Sequence, residues 1–493
     1  MFTEKQLDDL LEIFLERAQS VNEEYLIRMG EQIREIGELI PSSVNRLVQL
    51  KRMNANLDAV KREIARLAEI SAEDLEKIFE KAMETDARFV AKTFGNEFKP
   101  SILQNEALKQ MLIAQLNVSI GEMANLSRTR ISSEAYRSAI DKGIQAVQSG
   151  MEDYNKATRR ALSEAAEAGI RVEIGNTGAH ELRVGYGGTY TKRLDSAVRQ
   201  NVLDGIRSLS NDVLEQLGEE FGSDGIEISA HALCAEDHLP YQGRQYSNEQ
   251  FRIIQEEKLK RPFGMWNCRH SMYPILLGVT TPAYSEEELA AINRNSTEKI
   301  EIDGVTKTRY QWTQEQRRIE TAVRRQKDVA ICARAAGNAP LRRDAQHNID
   351  ALYTRYGRIA EKAGISKQMQ RMRVDGYKPM TKRELQNLGK SDMIISDKQI
   401  GKKAGKHMSE WNLDPASAND RQRFVEITNN IRNNADEVRR VPWKFDKVTG
   451  KRTVEVNAYI KGEDVVLVDD DGQYITTMKG GINNKRIKGE DGQ

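Results

Sequence analysis

At 493 residues the chain exceeds what one hydrophobic core usually organises, so about three domains are expected. Charged residues reach 30% against 6% aromatics, a balance of long amphipathic helices with solvated faces and not of a compact β protein. The net charge of +1 conceals an uneven spread: residues 305–390 hold 20 Lys and Arg against 8 Asp and Glu, residues 391–493 are balanced at 18 to 17, and the first 304 are acidic.

Three cysteines do not make a disulfide framework. With no signal-peptide pattern and no apolar run of about 18 residues, a soluble protein made in a reducing cytoplasm, with no membrane contact, is expected.

Residues 1–120 read as helix, with Pro41 and Pro100 at the breaks. Leu50, Met53, Leu57, Val60, Ile64 and Leu67 alternate at three and four residues, a seam that needs another helix. An internal bundle helix fits this run better than a coiled coil, which would sustain a longer repeat. Ser71 to Asp74 read as a capping box opening the next helix towards Phe89, and Ala107 to Leu116 continue the bundle. The absence of proline between Pro100 and Pro240 permits long helices over 132–169. Arg171 to Ile174 alternate as a strand before a glycine-rich loop to Gly188, which suggests a hairpin. Helical spacing returns through Leu194, Val198, Val202, Ile206 and Leu209, and Ile226-Glu227-Ile228 leads into the central segment.

That segment, from Ser229 to Pro282, places His231, Cys234, His238, Cys268 and His270 within forty positions, three of the six histidines and two of the three cysteines. Pro240, Pro262 and Pro274 restrict it to turns and short strands. His231-x2-Cys234-x3-His238 with Cys268-x-His270 could supply a tetrahedral zinc site. A hydrogen-bonded polar core that locks two loops explains the same residues, and both readings stay open. A Cys234–Cys268 disulfide fits a cytoplasmic product poorly, and a Cys-His protease lacks a recognisable oxyanion loop.

Ser285 to Glu288 look like a helix start. Gln311–Ala335 and 345–364 are further amphipathic helices, and Asp375 to Pro379 form the linker candidate. The basic band of 305–390 could meet DNA or an acidic protein face, or be a solvated helix surface. Beyond the linker, 398–411 and 418–430 read as helices, followed by strands at 452–460, 464–468 and 474–478, with another over 438–443. The resulting fold class is multidomain: a mainly α-helical N-terminal body with a central mixed α/β core, then a small α+β domain of helices and an antiparallel sheet. Its expected divisions are a helical bundle (1–125), the central core (126–300), a basic helical extension (301–374), a linker (375–390) and the α+β domain (391–493).

The central residues carry a resemblance. Ser229-Ala230-His231, Cys234-Ala235, Asp237-His238, Gln242-Gly243, Arg261-Pro262, Asn267-Cys268-Arg269-His270 and Pro274 to Val279 resemble the signature of MuF-like head-morphogenesis proteins, minor capsid proteins of phages of Gram-positive bacteria. The likeness continues loosely upstream from Arg193 and downstream to Asp328. It implies a protein packaged in the virion inside the capsid, with portal and capsid proteins as partners, after assembly in the host cytoplasm.

The last hundred residues resemble phage-borne members of the barnase, EndoU, colicin and RelE-like nuclease superfamily, which occur as toxins on MuF-like proteins. The resemblance implies an RNA substrate, an immunity partner and no required cofactor for this domain. Metal-independent RNA cleavage needs a base, a cation for the phosphorane and an acid. His407 is the only histidine here, and imidazole suits the proton-transfer role. Lys406, Lys461 and Lys479 are candidate phosphate cations, and Thr476 or Thr477 could hydrogen-bond a phosphate oxygen. Strand alternation would send Thr477 and Lys479 to one face. The rival reading is a purely structural capsid protein whose C-terminal domain is a non-catalytic binding module.

Overall fold

The computed structural model describes residues 4–36, 43–128, 169–176, 188–259, 262–264, 268–381, 407–444, 453–468 and 474–488, with isolated positions within 136–166 and at 384–385 and 395. The chain forms two compact units, one from residues 1–25, 51–134 and 168–298, the other from 26–50, 135–167 and 299–493.

Helices α1 (Glu4–Ile36), α2 (Ser43–Thr93), α3 (Glu106–Arg128) and α4 (Leu194–Glu220) dominate the first part of the chain. In the first unit, Leu11, Phe14, Ala18, Val21 and Tyr25 of α1 form a buried stripe, as do Met53, Leu57, Val60, Ile64 and Leu67 of α2. Apolar residues at three- and four-residue steps fall on one helix face, and burying that face supplies most of a helix's stability. The expected helix start at Ser71 is not there: α2 runs through it without a break. Ser71 is buried and accepts from Arg17 Nη1 at 3.4 Å, while Arg17 Nη2 lies 2.7 Å from Asp74. The Ser-x-x-Asp pattern therefore holds an arginine of α1, not a helix end.

Strands β1 (Arg171–Asn176) and β2 (Gly188–Arg193) form the expected antiparallel hairpin. After α4 comes a three-stranded antiparallel sheet of β3 (Gly225–Ile228), β4 (Gln245–Ser247) and β5 (Met272–Ile275), with β3 in the middle. Pro274 sits on the edge strand β5, where a missing N–H does no damage. Gly218 of α4 approaches Pro274 so closely that a Cβ there would lie 2.7 Å from the proline ring. Short helix α5 (Asn248–Ile253) follows β4, and α6 (Glu286–Thr297) opens on the capping box of Ser285 and Glu288.

In the second unit, the hairpin of β6 (Lys299–Ile302) and β7 (Val305–Thr308) leads into α7 (Arg309–Ala335) and α8 (Ala339–Ala363), which pair along their lengths. Gly364 ends α8 in the left-handed conformation that glycine adopts without strain. The C-terminal part contains α9 (Ala418–Asn433), then β8 (Glu437–Lys444), β9 (Thr453–Lys461), β10 (Asp464–Val468) and β11 (Tyr474–Met478), a four-stranded antiparallel meander in the order β11-β10-β9-β8. One face of the sheet packs Tyr459, Val466 and Val468 against Ile431 of α9 and Ala351 of α8; the other packs Val456, Val465 and Leu467 with Ile487 of α10 (Lys485–Lys488). A mainly helical body with a small central sheet, followed by helices on an antiparallel sheet, is the fold class the pattern implied.

Candidate functional site

The first site lies in the loops beside the central sheet. His238 sits in the turns that follow β3, while Cys268 and His270 immediately precede β5. All three are buried. His238 Nδ1 and His270 Nδ1 are 3.3 Å apart, with Cys268 Sγ at 3.6 Å from the former and 3.2 Å from the latter. Phe263, itself buried, closes one side, its ring 4.4 Å from that of His238 and 4.8 Å from that of His270.

Gln242 sets the state of His270. Its Oε1 accepts from the backbone N–H of His231 at 3.1 Å, and its Nε2 donates to Asn293 Oδ1 at 2.7 Å. Those two bonds fix which end of the amide is oxygen. The same Oε1 lies 2.9 Å from His270 Nε2, so that nitrogen carries the proton and Nδ1 presents a lone pair to Cys268 and His238. On the other ring, the Asp237 carboxylate lies 3.9 Å from His238 Nε2 and favours a proton there. The turn that places Gln242 depends on Gly243, whose φ is +70° and whose Cβ, if present, would lie 2.0 Å from Leu289 Cδ2.

The five residues singled out in the sequence therefore divide. His238, Cys268 and His270 converge. His231 stacks on His270 at 4.3 Å between ring centroids but turns Nδ1 to the carbonyl of Ala232, and Cys234 Sγ faces the carbonyl of Ala235.

The second site is at one end of the C-terminal sheet. His407 is the N-cap residue of a 3-10 helix over Met408–Trp411. Its Nδ1 lies 2.7 Å from Glu410 Oε1. The other carboxylate oxygen accepts from the backbone N–H of Lys479 at 3.1 Å, and Lys479 Nζ donates to the Glu410 carbonyl, also at 3.1 Å. Lys461 and Asp464 face each other across the β9–β10 turn, and Met478 pairs with Val465, so Lys461 and Lys479 share this end of the sheet. Lys461 Nζ lies 3.2 Å from Asn430 Oδ1. Asn430 also lines an open groove of about 460 Å³, together with Leu413, Arg423, Glu426 and Ile427.

Thr476 and Thr477 are buried, and Thr477 does not share an exposed face with Lys479. The Thr477 hydroxyl is 2.7 Å from that of Thr428 on α9 and 3.1 Å from Tyr474 OH, a contact within the fold that keeps it from a surface phosphate. Lys406 lies outside the described residues. Glu410, which joins His407 to Lys479, was not among the expected residues, although its i,i+3 spacing from His407 on a helical turn was a readable signal.

Residues 2–356 match the family described as phage minor capsid protein 2. The chain belongs to that family. No curated protein and no solved structure matches it. Membership of the minor capsid family gives the chain a structural role in the phage head, phage structural proteins as partners and a place in the virion. The matched span contains the whole His/Cys cluster and ends within α8; the C-terminal sheet lies beyond it. No helix among the described residues is long and apolar enough to cross a membrane.

Proposed function

We propose that this minor capsid protein sits with the portal inside the head and carries, over residues 391–493, an endoribonuclease that works without metal. In this reading the bundle, central core and basic extension of 1–374 dock on portal and capsid proteins. The basic band of 305–390 meets packaged DNA, and the C-terminal cargo acts on RNA and is restrained in its host by an immunity protein.

The observation that supports a nuclease is the convergence of His407 and Lys479 on Glu410. A carboxylate on Nδ1 fixes the tautomer of the imidazole and leaves Nε2 for proton transfer, as in other base–orienter pairs. His407 Nε2 takes the proton of a ribose 2′-hydroxyl, the 2′-oxygen attacks phosphorus, and the bond to the 5′-oxygen breaks as that oxygen takes a proton from water, so the product ends in a 2′,3′-cyclic phosphate. Lys479 and Lys461 offset the charge that develops on the phosphorane. Thr477 supports this edge from inside by holding β11 against α9.

Expression of the full chain in bacteria tests the reading. Wild type should arrest growth and degrade cellular RNA, and His407→Ala should do neither. Equal growth with intact RNA in both would leave the C-terminal domain a binding module.

A further inference from the structure

We propose that His238, Cys268 and His270 hold a zinc ion that ties the turn after β3 to the loop before β5. This inference is independent of the nuclease reading.

The first argument is electrostatic. Gln242 places the His270 proton on Nε2, and Asp237 favours the equivalent proton position on His238. Two Nδ1 lone pairs then face each other at 3.3 Å, with a sulfur beside both. Three buried donor atoms, one from each side chain, thus converge on one point, which is the arrangement a cation can occupy.

The second argument is metrical. Zinc takes imidazole nitrogen at about 2.0–2.1 Å and thiolate sulfur at about 2.3 Å, so a tetrahedron has N–N edges of about 3.3 Å and N–S edges of about 3.6 Å. The three observed separations are 3.3, 3.6 and 3.2 Å. Each is within a few tenths of an ångström of its edge.

The surroundings fit a structural zinc. Metal-bound histidines characteristically give their second nitrogen to a carboxylate or a carbonyl. Here His270 Nε2 meets the side-chain carbonyl of Gln242, and His238 Nε2 faces the carboxylate of Asp237. One thiolate and two neutral imidazoles leave a net single positive charge on the bound ion, which Asp237 offsets. Binding breaks the S–H bond of Cys268, forms the S–Zn bond and releases one proton to solvent. A mixed thiolate and imidazole set favours zinc over the harder calcium and magnesium.

The test is metal analysis of the full chain purified without chelator. About one equivalent of zinc per chain is expected, removed by strong chelator with earlier thermal unfolding, since the binding energy of a structural metal contributes to folding. Cys268→Ser should carry under about a tenth of an equivalent. Because that variant can unfold for other reasons, cobalt replaces zinc in the wild type, where a thiolate-to-cobalt charge-transfer band reports Cys268 directly. His238→Cys should keep the metal and intensify the band. Wild-type protein that is folded yet metal-free, unaffected by chelator and without a cobalt band overturns the proposal and leaves a hydrogen-bonded core.

Discussion

The two histidine sites of this chain are built on opposite terms. In the central segment, His238, Cys268 and His270 are 1%, 3% and 4% exposed, and their outer partners Gln242 and Asp237 set where protons reside. At the C-terminal edge, the His407 side chain is 18% exposed and Glu410 36%, and the lysines beside them reach solvent. Burial makes an unmatched lone pair expensive, so the first cluster must be satisfied by structure or by an ion. In the proposed nuclease reading, exposure leaves the second a ring nitrogen and two cations to offer to a phosphate. Substitution at the first site should therefore show in stability and, in the proposed reading, at the second in rate.

The largest stability effect is expected at the turn behind the buried cluster. Gly243→Ala combines a positive φ with a Cβ that collides with Leu289. The cost should be about 2–3 kcal/mol, read as a lower midpoint in chemical denaturation. Retention of the wild-type midpoint would mean that this turn does not hold Gln242 in place.

An effect of comparable size should appear where α8 meets the C-terminal sheet. His347 stacks on Tyr459 at 5.7 Å between centroids. Burial, then the positive charges of Arg432 and Arg343, lower its pKa to about 4. The unfolded imidazole titrates near 6.5. As pH falls from about 6.5 to about 4, the unfolded chain takes up a proton that the folded chain refuses, so stability drops across that window and levels below it. The contribution is on the order of 3 kcal/mol. His347→Gln should lose less stability than wild type over the same window, and parallel curves for the two would contradict this account.

The smallest effect is expected at the exposed edge. His407→Ala and Lys479→Ala should each change unfolding stability by under about 0.5–1 kcal/mol, because exposed ion pairs contribute little. A larger loss would turn the Glu410 contacts into a structural clasp and weaken the contrast between the sites.

Much of this was legible in the residues. Three of the four C-terminal strands followed from short β-branched runs bounded by Gly or Asp, with the fourth expected over 438–443, and α4 followed from the spacing of Leu194, Val198, Val202, Ile206 and Leu209. Ser71 misled because a Ser-x-x-Asp pattern suits a helix start and an inter-helix arginine equally well; only the position of Arg17 decides. Asp303 and Gly304, both at positive φ, form the two-residue turn of the β6–β7 hairpin, and an Asp-Gly pair is the sequence signal for such a turn. At the sites, residue type located both clusters, but which side chains meet depends on rotamers that periodicity does not encode. Alternation put Thr477 on the face of Lys479, yet Lys479 lies just past the strand end, where the alternation stops.

Cleavage of RNA by the purified full chain, with no added divalent cation, decides whether the C-terminal domain is a nuclease. Wild type should generate 2′,3′-cyclic phosphate ends at a rate that added magnesium leaves unchanged. His407→Ala should be slower by about a hundredfold to ten-thousandfold, the usual contribution of acid–base catalysis, with an unchanged melting temperature. Equal rates for the two proteins, or cleavage only after magnesium is added, would contradict the account.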